Sequence, residues 1–249
     1  MIYYKHTLAT ALSFCLLSSL YAQIRDGRVV YERKMNMHRH LEDESMKNMV
    51  PEFNVSRAEL LFSSDESLWR DIREEEDIRD QAGEDHDRPV IRMRFGGGDD
   101  QSYKDYAAQK MIQQREMGPK KYIIEDSFPH QSWKLEPDTQ RIRGFLCKKA
   151  TTTAKAGGAV IAWYTEDIQS PSGPEVYGGL PGLILQLNIN DAEMVYMAVE
   201  VDTKGSDKGL VKAPTDGKKI TRAAFQKMME EQFGPAGKGG RPMIRIIRN

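Results

Sequence analysis

The sequence predicts a mainly β protein, an antiparallel meander or half-barrel carrying one packed helix near its C-terminus. Three observations support this. Short runs of alternating or β-branched residues recur along the chain, separated by polar or Gly/Pro-rich turns. The gaps between them are too short for the helical crossovers that parallel strands require. Only one segment has its apolar residues at helical spacing.

The first run, Arg28 to Met37, sets Val29 and Tyr31 against Val30 and Glu32. Further strands are expected over 56–62, 89–95, 110–116, 121–125, 132–136, 145–152, 159–165, 183–190 and 194–201. The stretch from Glu66 to Asp87 reads instead as an acidic loop, centred on about 73–88, because Glu74–Asp77 and Glu84–Asp87 leave it little apolar content. Gly96–Asp100 and Gly237–Arg241 read as flexible, and Met243–Arg248 as a possible edge strand. Over 220–233, Ala224, Phe225, Met228, Met229 and Phe233 share one helical face. Thr221 is placed to cap that helix, Gly234-Pro235 to end it, and the stripe to pack on the sheet.

The N-terminus reads as a secretory leader: Lys5-His6, then a mostly apolar Thr7–Leu20, then Ser19-Leu-Tyr-Ala22 as a cleavage site. Its fourteen-residue apolar stretch is short for a bilayer, and no later stretch is long enough. The expectation is a leader over 1–22 and a single domain over 23–249, periplasmic or secreted and without a transmembrane segment. The net charge of −1 shows no basic face for nucleic acid. Of the two cysteines, Cys15 falls in the leader. Cys147 lies in a strand with no His beside it and reads as a buried, inert thiol.

The most distinctive segment is Tyr177-Gly-Gly-Leu-Pro-Gly-Leu-Ile-Leu185. It carries no charge, nucleophile, His or Cys, so it specifies backbone: Gly178 and Gly179 can take positive φ, and Pro181-Gly182 suits the centre of a type II turn, with positive φ at Gly182. With Trp133, Arg141–Ala150, Ala162–Thr165 and Gly173-Pro174, these residues resemble the GLPGLI family of secreted Gram-negative bacterial proteins. The hexapeptide Gly179, Leu180, Pro181, Gly182, Leu183 and Ile184 would be that family's signature, with a structural role. The resemblance implies no established activity and no catalytic residue. A weaker, purely architectural resemblance is to periplasmic lipoprotein carriers of the LolA type. It implies a concave face for a hydrophobic or peptide ligand, or docking on an outer-membrane receptor.

The expected function is therefore a non-catalytic envelope module that binds a ligand or partner, with no cofactor. Two alternatives have residues behind them. Met35, Met37, His38 and His40, with Met46 and Met49 downstream, offer the thioether and imidazole donors that suit Cu(I). On a straight strand, however, the Met pair and the His pair face opposite ways, and a bend at His38 is needed to unite them. A hydrolase is the other alternative, with Glu166-Asp167 and Glu175 as paired carboxylates. No nucleophile elbow, zinc-binding His-Glu-x-x-His or phosphate loop is present.

Overall fold

The structure is a computed structural model that describes residues 24–41, 43–72, 99–128, 130–154, 157–204, 209 and 211–233. The expected leader, most of the acidic loop, the strand over 89–95 and the C-terminal tail lie outside these residues.

The alternating segments form strands β1 (Gly27–Asn36), β2 (Phe53–Phe62), β3 (Glu66–Asp71), β4 (Gln101–Asp105), β5 (Lys110–Met117) and β6 (Lys120–Ser127). After them come β7 (Lys134–Ile142), β8 (Phe145–Thr153), β9 (Ala159–Thr165), β10 (Leu183–Ile189), β11 (Met194–Asp202) and the short β12 (Lys218–Ile220). All belong to one sheet in the order β12-β6-β5-β4-β3-β2-β1-β11-β10-β9-β8-β7. Two antiparallel meanders, β1 to β6 and β7 to β11, thus run outward and join through the β1–β11 pairing. Among the described strands only β12 is parallel to its neighbour, β6. Mainly antiparallel β structure with one C-terminal helix is what the sequence predicts, and a single open sheet is the form it takes.

Because side chains alternate along a strand, each strand presents two different faces. Val29 and Tyr31 of β1, Ala58 and Leu60 of β2, and Trp69 of β3 lie on one face with Leu187 of β10 and Ala162 of β9. Tyr31 packs on Trp69 (centroids 5.4 Å apart), and Trp69 meets Tyr196 edge-on at 5.8 Å. The opposite face of β2–β4 holds a smaller cluster of Leu61, Leu68 and Tyr103, against which Val211 and Ala213 pack. Beside it Glu59 accepts from both Arg28 and Arg70 at 2.5 Å. Burial alone would raise its pKa, but these two partners outweigh it and lower the value.

Several expectations change. Glu66–Asp71 is not loop: Leu68 and Trp69 are buried and the segment pairs on both sides, with β2 and β4. Gln101–Asp105 also forms a strand, although its buried positions include Ser102 and Lys104. A short helix, α1 (Glu44–Lys47), follows β1 with Asp43 accepting from the Ser45 amide. The C-terminal helix α2 (Arg222–Phe233) starts as expected, the Thr221 hydroxyl accepting from the Ala224 amide at 3.2 Å. It is not a core element: its described side chains are exposed or half-buried, and its ring contact is Phe225 on Tyr122 of β6. The sheet therefore does not wrap around this helix. Among the described residues no helix is long and apolar enough to cross a membrane.

In the hexapeptide, Leu180, Leu183 and Ile184 are buried, and the Tyr31 hydroxyl donates to the Ile184 carbonyl at 2.5 Å. Leu185 forms a bulge where β10 leaves register with β9. The left-handed residue is Gly179, at φ +81°, rather than Gly182. Gly182 is required for a different reason: a Cβ there would run into the backbone carbonyl of Thr165. Around Gly179 a Cβ would meet nothing within 4 Å. Gly182→Val should therefore destabilise more than Gly179→Ala. The first forces a backbone shift of the kind that costs about 1–3 kcal/mol, and the second adds about 1–2 kcal/mol of local strain. Thermal unfolding of the two variants checks this, and the reverse order would contradict it.

Candidate functional site

The segment 166–182, between β9 and β10, crosses the core face of the sheet. Ser172 bridges Gly178, the Ser170 hydroxyl donates to the Ser63 carbonyl at 2.7 Å, and the Trp133 indole donates to the Gly178 carbonyl at 2.9 Å. Its turn at 174–176, closed by Tyr177 N donating to Pro174 O, carries Glu175 with a left-handed backbone at φ +49°. Non-glycine residues adopt this conformation rarely, and mostly where surrounding structure enforces it.

Glu175 enters a cleft of about 150 Å³ lined by Arg33, Met35, Trp69, Asp71, Asp100, Ser102, Arg115 and Met194. The lining comes from the ends of β1, β3 and β5 and the starts of β4 and β11, which antiparallel pairing brings to one end of the sheet. Arg33 is central. One guanidinium nitrogen faces Asp71 at 3.2 Å, another faces Glu175 at 3.5 Å, and Nε donates to the Ser56 hydroxyl at 3.0 Å. The Tyr196 hydroxyl donates to Glu175 at 2.7 Å. On the other wall Arg115 pairs with Asp100 at 3.3 Å, and the Glu116 amide donates to the same carboxylate at 2.8 Å.

The two acids on Arg33 sit in different surroundings. Burial raises the Asp71 pKa; Arg33 opposes this, and Glu175 and Asp100 push it further up. Burial would lower the Arg33 pKa, but Asp71, Tyr196 and Glu175 more than offset that, so the guanidinium stays charged. The Tyr196 phenol is pushed well up, by burial first and then by Glu175, so it acts as a donor. A carboxyl that keeps its proton beyond the usual range, next to a second acid fixed by an arginine and a tyrosine, is an arrangement suited to general acid–base hydrolysis.

Of the carboxylates singled out from sequence, only Glu175 reaches the cleft. Glu166 pairs with Lys148 at 2.7 Å, and the Asp167 amide folds back on the Thr165 hydroxyl. The partner of Glu175 is Asp71, in the segment expected to be loop. His130 is exposed. In the Met/His segment β1 ends at Asn36 and a 3-10 turn covers His38–His40, which supplies a bend at the place required. Met37 is nonetheless buried, Met35 lines the cleft, His38 Nε2 lies 2.9 Å from the Val50 carbonyl, and Met46 and Met49 are exposed. Among the described residues no three His, Cys, Asp or Glu side chains are grouped to hold a metal ion. Cys147 is fully buried, and burial pushes its thiol up to about 11, as expected of an inert cysteine.

Fold and cleft together define a β-sheet module with a two-carboxylate, arginine-centred site. Comparison with known proteins adds a likeness over part of the chain. The family described as N-glycanase peptide, N-terminal domain, matches residues 101–224, just under half of the chain. Two crystal forms of PNGF-II, in space groups C2 and P21, superimpose with TM-scores of 0.55 at 17% identity and cover 82% of this chain. At that identity the likeness establishes the fold alone. This chain spans about a third of those proteins, 32% and 33% of their length. No curated protein sequence matches.

These findings correct two expectations. The GLPGLI resemblance gives way, because the matched span, which includes Gly179–Ile184, fits an N-glycanase domain instead. The expectation of a non-catalytic envelope module is overturned by the same match, whose family is described as the N-terminal domain of an N-glycanase.

The electrostatics of the cleft make a testable statement. The folded-state pKa of Asp71 lies above its unfolded value of about 3.9. The stability it contributes is therefore full below about pH 4 and is lost as pH rises through the folded value. Arg33 is the group that restrains this shift. Arg33→Met should therefore move the Asp71 midpoint further up, by about one unit or more, as read by carboxyl-carbon NMR. A downward move would contradict the assignment.

Proposed function

We propose that this chain is an N-glycanase-type hydrolase acting on N-glycosylated peptides, with Asp71 and Glu175 as its acid–base pair. The observation that carries this reading is the joint hold of Arg33 on both carboxylates within a single cleft. The kinship of residues 101–224 with an N-glycanase domain supports the substrate class. The apolar leader expected at the N-terminus supports a setting outside the cytoplasm.

In this reading Glu175, oriented by Tyr196 and Arg33, takes a proton from a water molecule in the cleft. The water oxygen bonds to the carbon of the glycan–peptide linkage, and the carbon–nitrogen bond breaks. Asp71 delivers its proton to the departing nitrogen. Each carboxyl exchanges one proton, and the next water resets the pair. Trp69, Met35 and Met194 give the cleft an apolar lining that favours a protonated Asp71. Asp100, held by Arg115 and the Glu116 amide, adds a second negative charge beside it.

Incubation with a peptide bearing one N-linked glycan, followed by mass spectrometry, tests the reading. The peptide should lose the mass of its glycan. Asp71→Asn and Glu175→Gln should each lower kcat by about 100-fold or more with little change in KM. An untouched peptide, or wild-type turnover by both variants, would overturn it.

A further inference from the structure

Among the described residues Lys104 is the one charged side chain with no exposed surface, and the acid–base scheme does not use it. It rises from β4 on the same face as Trp69 and Ser102, between Ser67 of β3 and Met111 of β5. Its ammonium group donates to the Tyr177 carbonyl at 2.7 Å and to the Gly173 carbonyl at 3.3 Å. The face of Phe128 lies 5.8 Å away. Its two carbonyl partners stand two residues before and two residues after Glu175.

The turn around Glu175 is closed on itself by the Tyr177 amide on Pro174 and is touched by Gln131 at the Val176 carbonyl, but Lys104 ties both of its ends to the sheet. Gly178 and Gly173 allow the close approach of the chain, a Cβ at Gly178 falling 2.7 Å from the Pro171 carbonyl and one at Gly173 falling 2.7 Å from Ile184. These contacts set how near the segment lies to the sheet, but they do not anchor both ends of the 174–176 turn to one strand. A bridge from β4 to both sides of that turn does so. Burying an amine costs several kcal/mol unless it is satisfied, and an apolar residue would fill the same space without that cost. A lysine here is thus better explained by its two hydrogen bonds than by packing.

We propose that Lys104 is a positioning residue: it clamps the carbonyls of Gly173 and Tyr177 and so holds Glu175 in its left-handed conformation, aimed at Arg33 and Tyr196. The acid–base role of Glu175 comes from the reading above, but the clamp itself does not depend on it. The clamp is also sensitive to pH. Burial lowers the Lys104 pKa to about 7, and the charge acting on it is Glu175, which raises it. The other titratable group close by, the Tyr106 phenol, is raised by burial to about 12 and stays neutral, bonded to Ser67 and Ser172. Above neutral pH the bridge therefore changes from a charged clamp to a neutral one, and Glu175 loses one of the cations acting on it while Arg33 remains.

Two measurements on the full chain test this. In Lys104→Met, hydrogen exchange at the Tyr177 and Gly179 amides, which close this segment on Pro174 and Pro171, should rise about tenfold or more. Protection in β1, β2 and β11 should stay unchanged, and turnover of the glycosylated peptide should fall in kcat rather than KM. In the wild-type protein labelled at its carboxyl carbons, the Glu175 signal should shift with a midpoint near 7, the value at which Lys104 discharges. Unchanged exchange in a folded Lys104→Met, or a flat Glu175 response across neutral pH, would overturn the clamp. If the variant fails to fold, the wild-type titration decides alone. If the wild type has no activity, the exchange and NMR results still judge the clamp, and only the N-glycanase reading falls.

Discussion

The alternation of side chains along β1 is the constraint on which the rest of the molecule depends. This strand pairs along its whole length with β2 and along most of it with β11, so it is the seam between the two meanders. Its odd-numbered residues all point to the face crossed by 166–182. Val29 and Tyr31 enter the core, while Arg33 and Met35 reach the cleft. A shift of register by one residue would carry all four to the opposite face. Core and site are thus two ends of one row, and the packing of Tyr31 on Trp69 fixes where Arg33 stands.

The second requirement is that a chain segment cross that face without burying unpaired backbone. Segment 166–182 meets it with partners drawn from several strands and loops: Lys104, Gln131, Trp133 and Tyr31 all bond backbone groups of this segment or of the start of β10, and the Ser170 hydroxyl donates to the Ser63 carbonyl. Glycine is used where the backbones must nearly touch, at Gly178 and Gly182. The segment therefore has a chemical consequence, and Tyr177–Gly182, which carries no reactive group, shares in it by anchoring the chain after Glu175. It sets the height and angle at which Glu175 enters the cleft, where Arg33, Tyr196 and Asp71 act on it.

Most of the architecture was legible because most strands carry a plain apolar alternation, as in β1, β9 and β11. Apart from the three-residue β12, the strands that escaped are β3 and β4, and both carry polar residues of the cleft. Asp71, Ser102 and Lys104 occupy inward positions where a sequence reading expects Val or Leu, so functional polarity hid the period of two. The site was legible only in part for the same reason. Glu175 can be picked out as a carboxylate, but its local neighbours Glu166 and Asp167 turn away, and its real partner comes from a strand far earlier in the chain. No spacing rule reports that pairing, since it is made by sheet order. The helix was placed correctly, yet its Met/Phe stripe did not foretell depth: α2 meets the sheet through Phe225 on Tyr122 of β6 and through Arg222 on Gln113 of β5 and Asp126 of β6. The glycines of the hexapeptide were recognised as constrained. Which of them is left-handed and which is crowded depends on the Thr165 backbone, again a tertiary fact.

The central claim is that the cleft bounded by Arg33, Asp71 and Glu175 is where an N-linked glycopeptide is held. A crystal structure of the Asp71→Asn variant soaked with a short N-glycosylated peptide measures this most directly. The account predicts the glycan–peptide linkage within hydrogen-bonding distance of Glu175 and Asn at position 71, with the Arg33 and Tyr196 contacts to Glu175 retained. A glycopeptide bound elsewhere on the sheet, with this cleft holding only water, would contradict it.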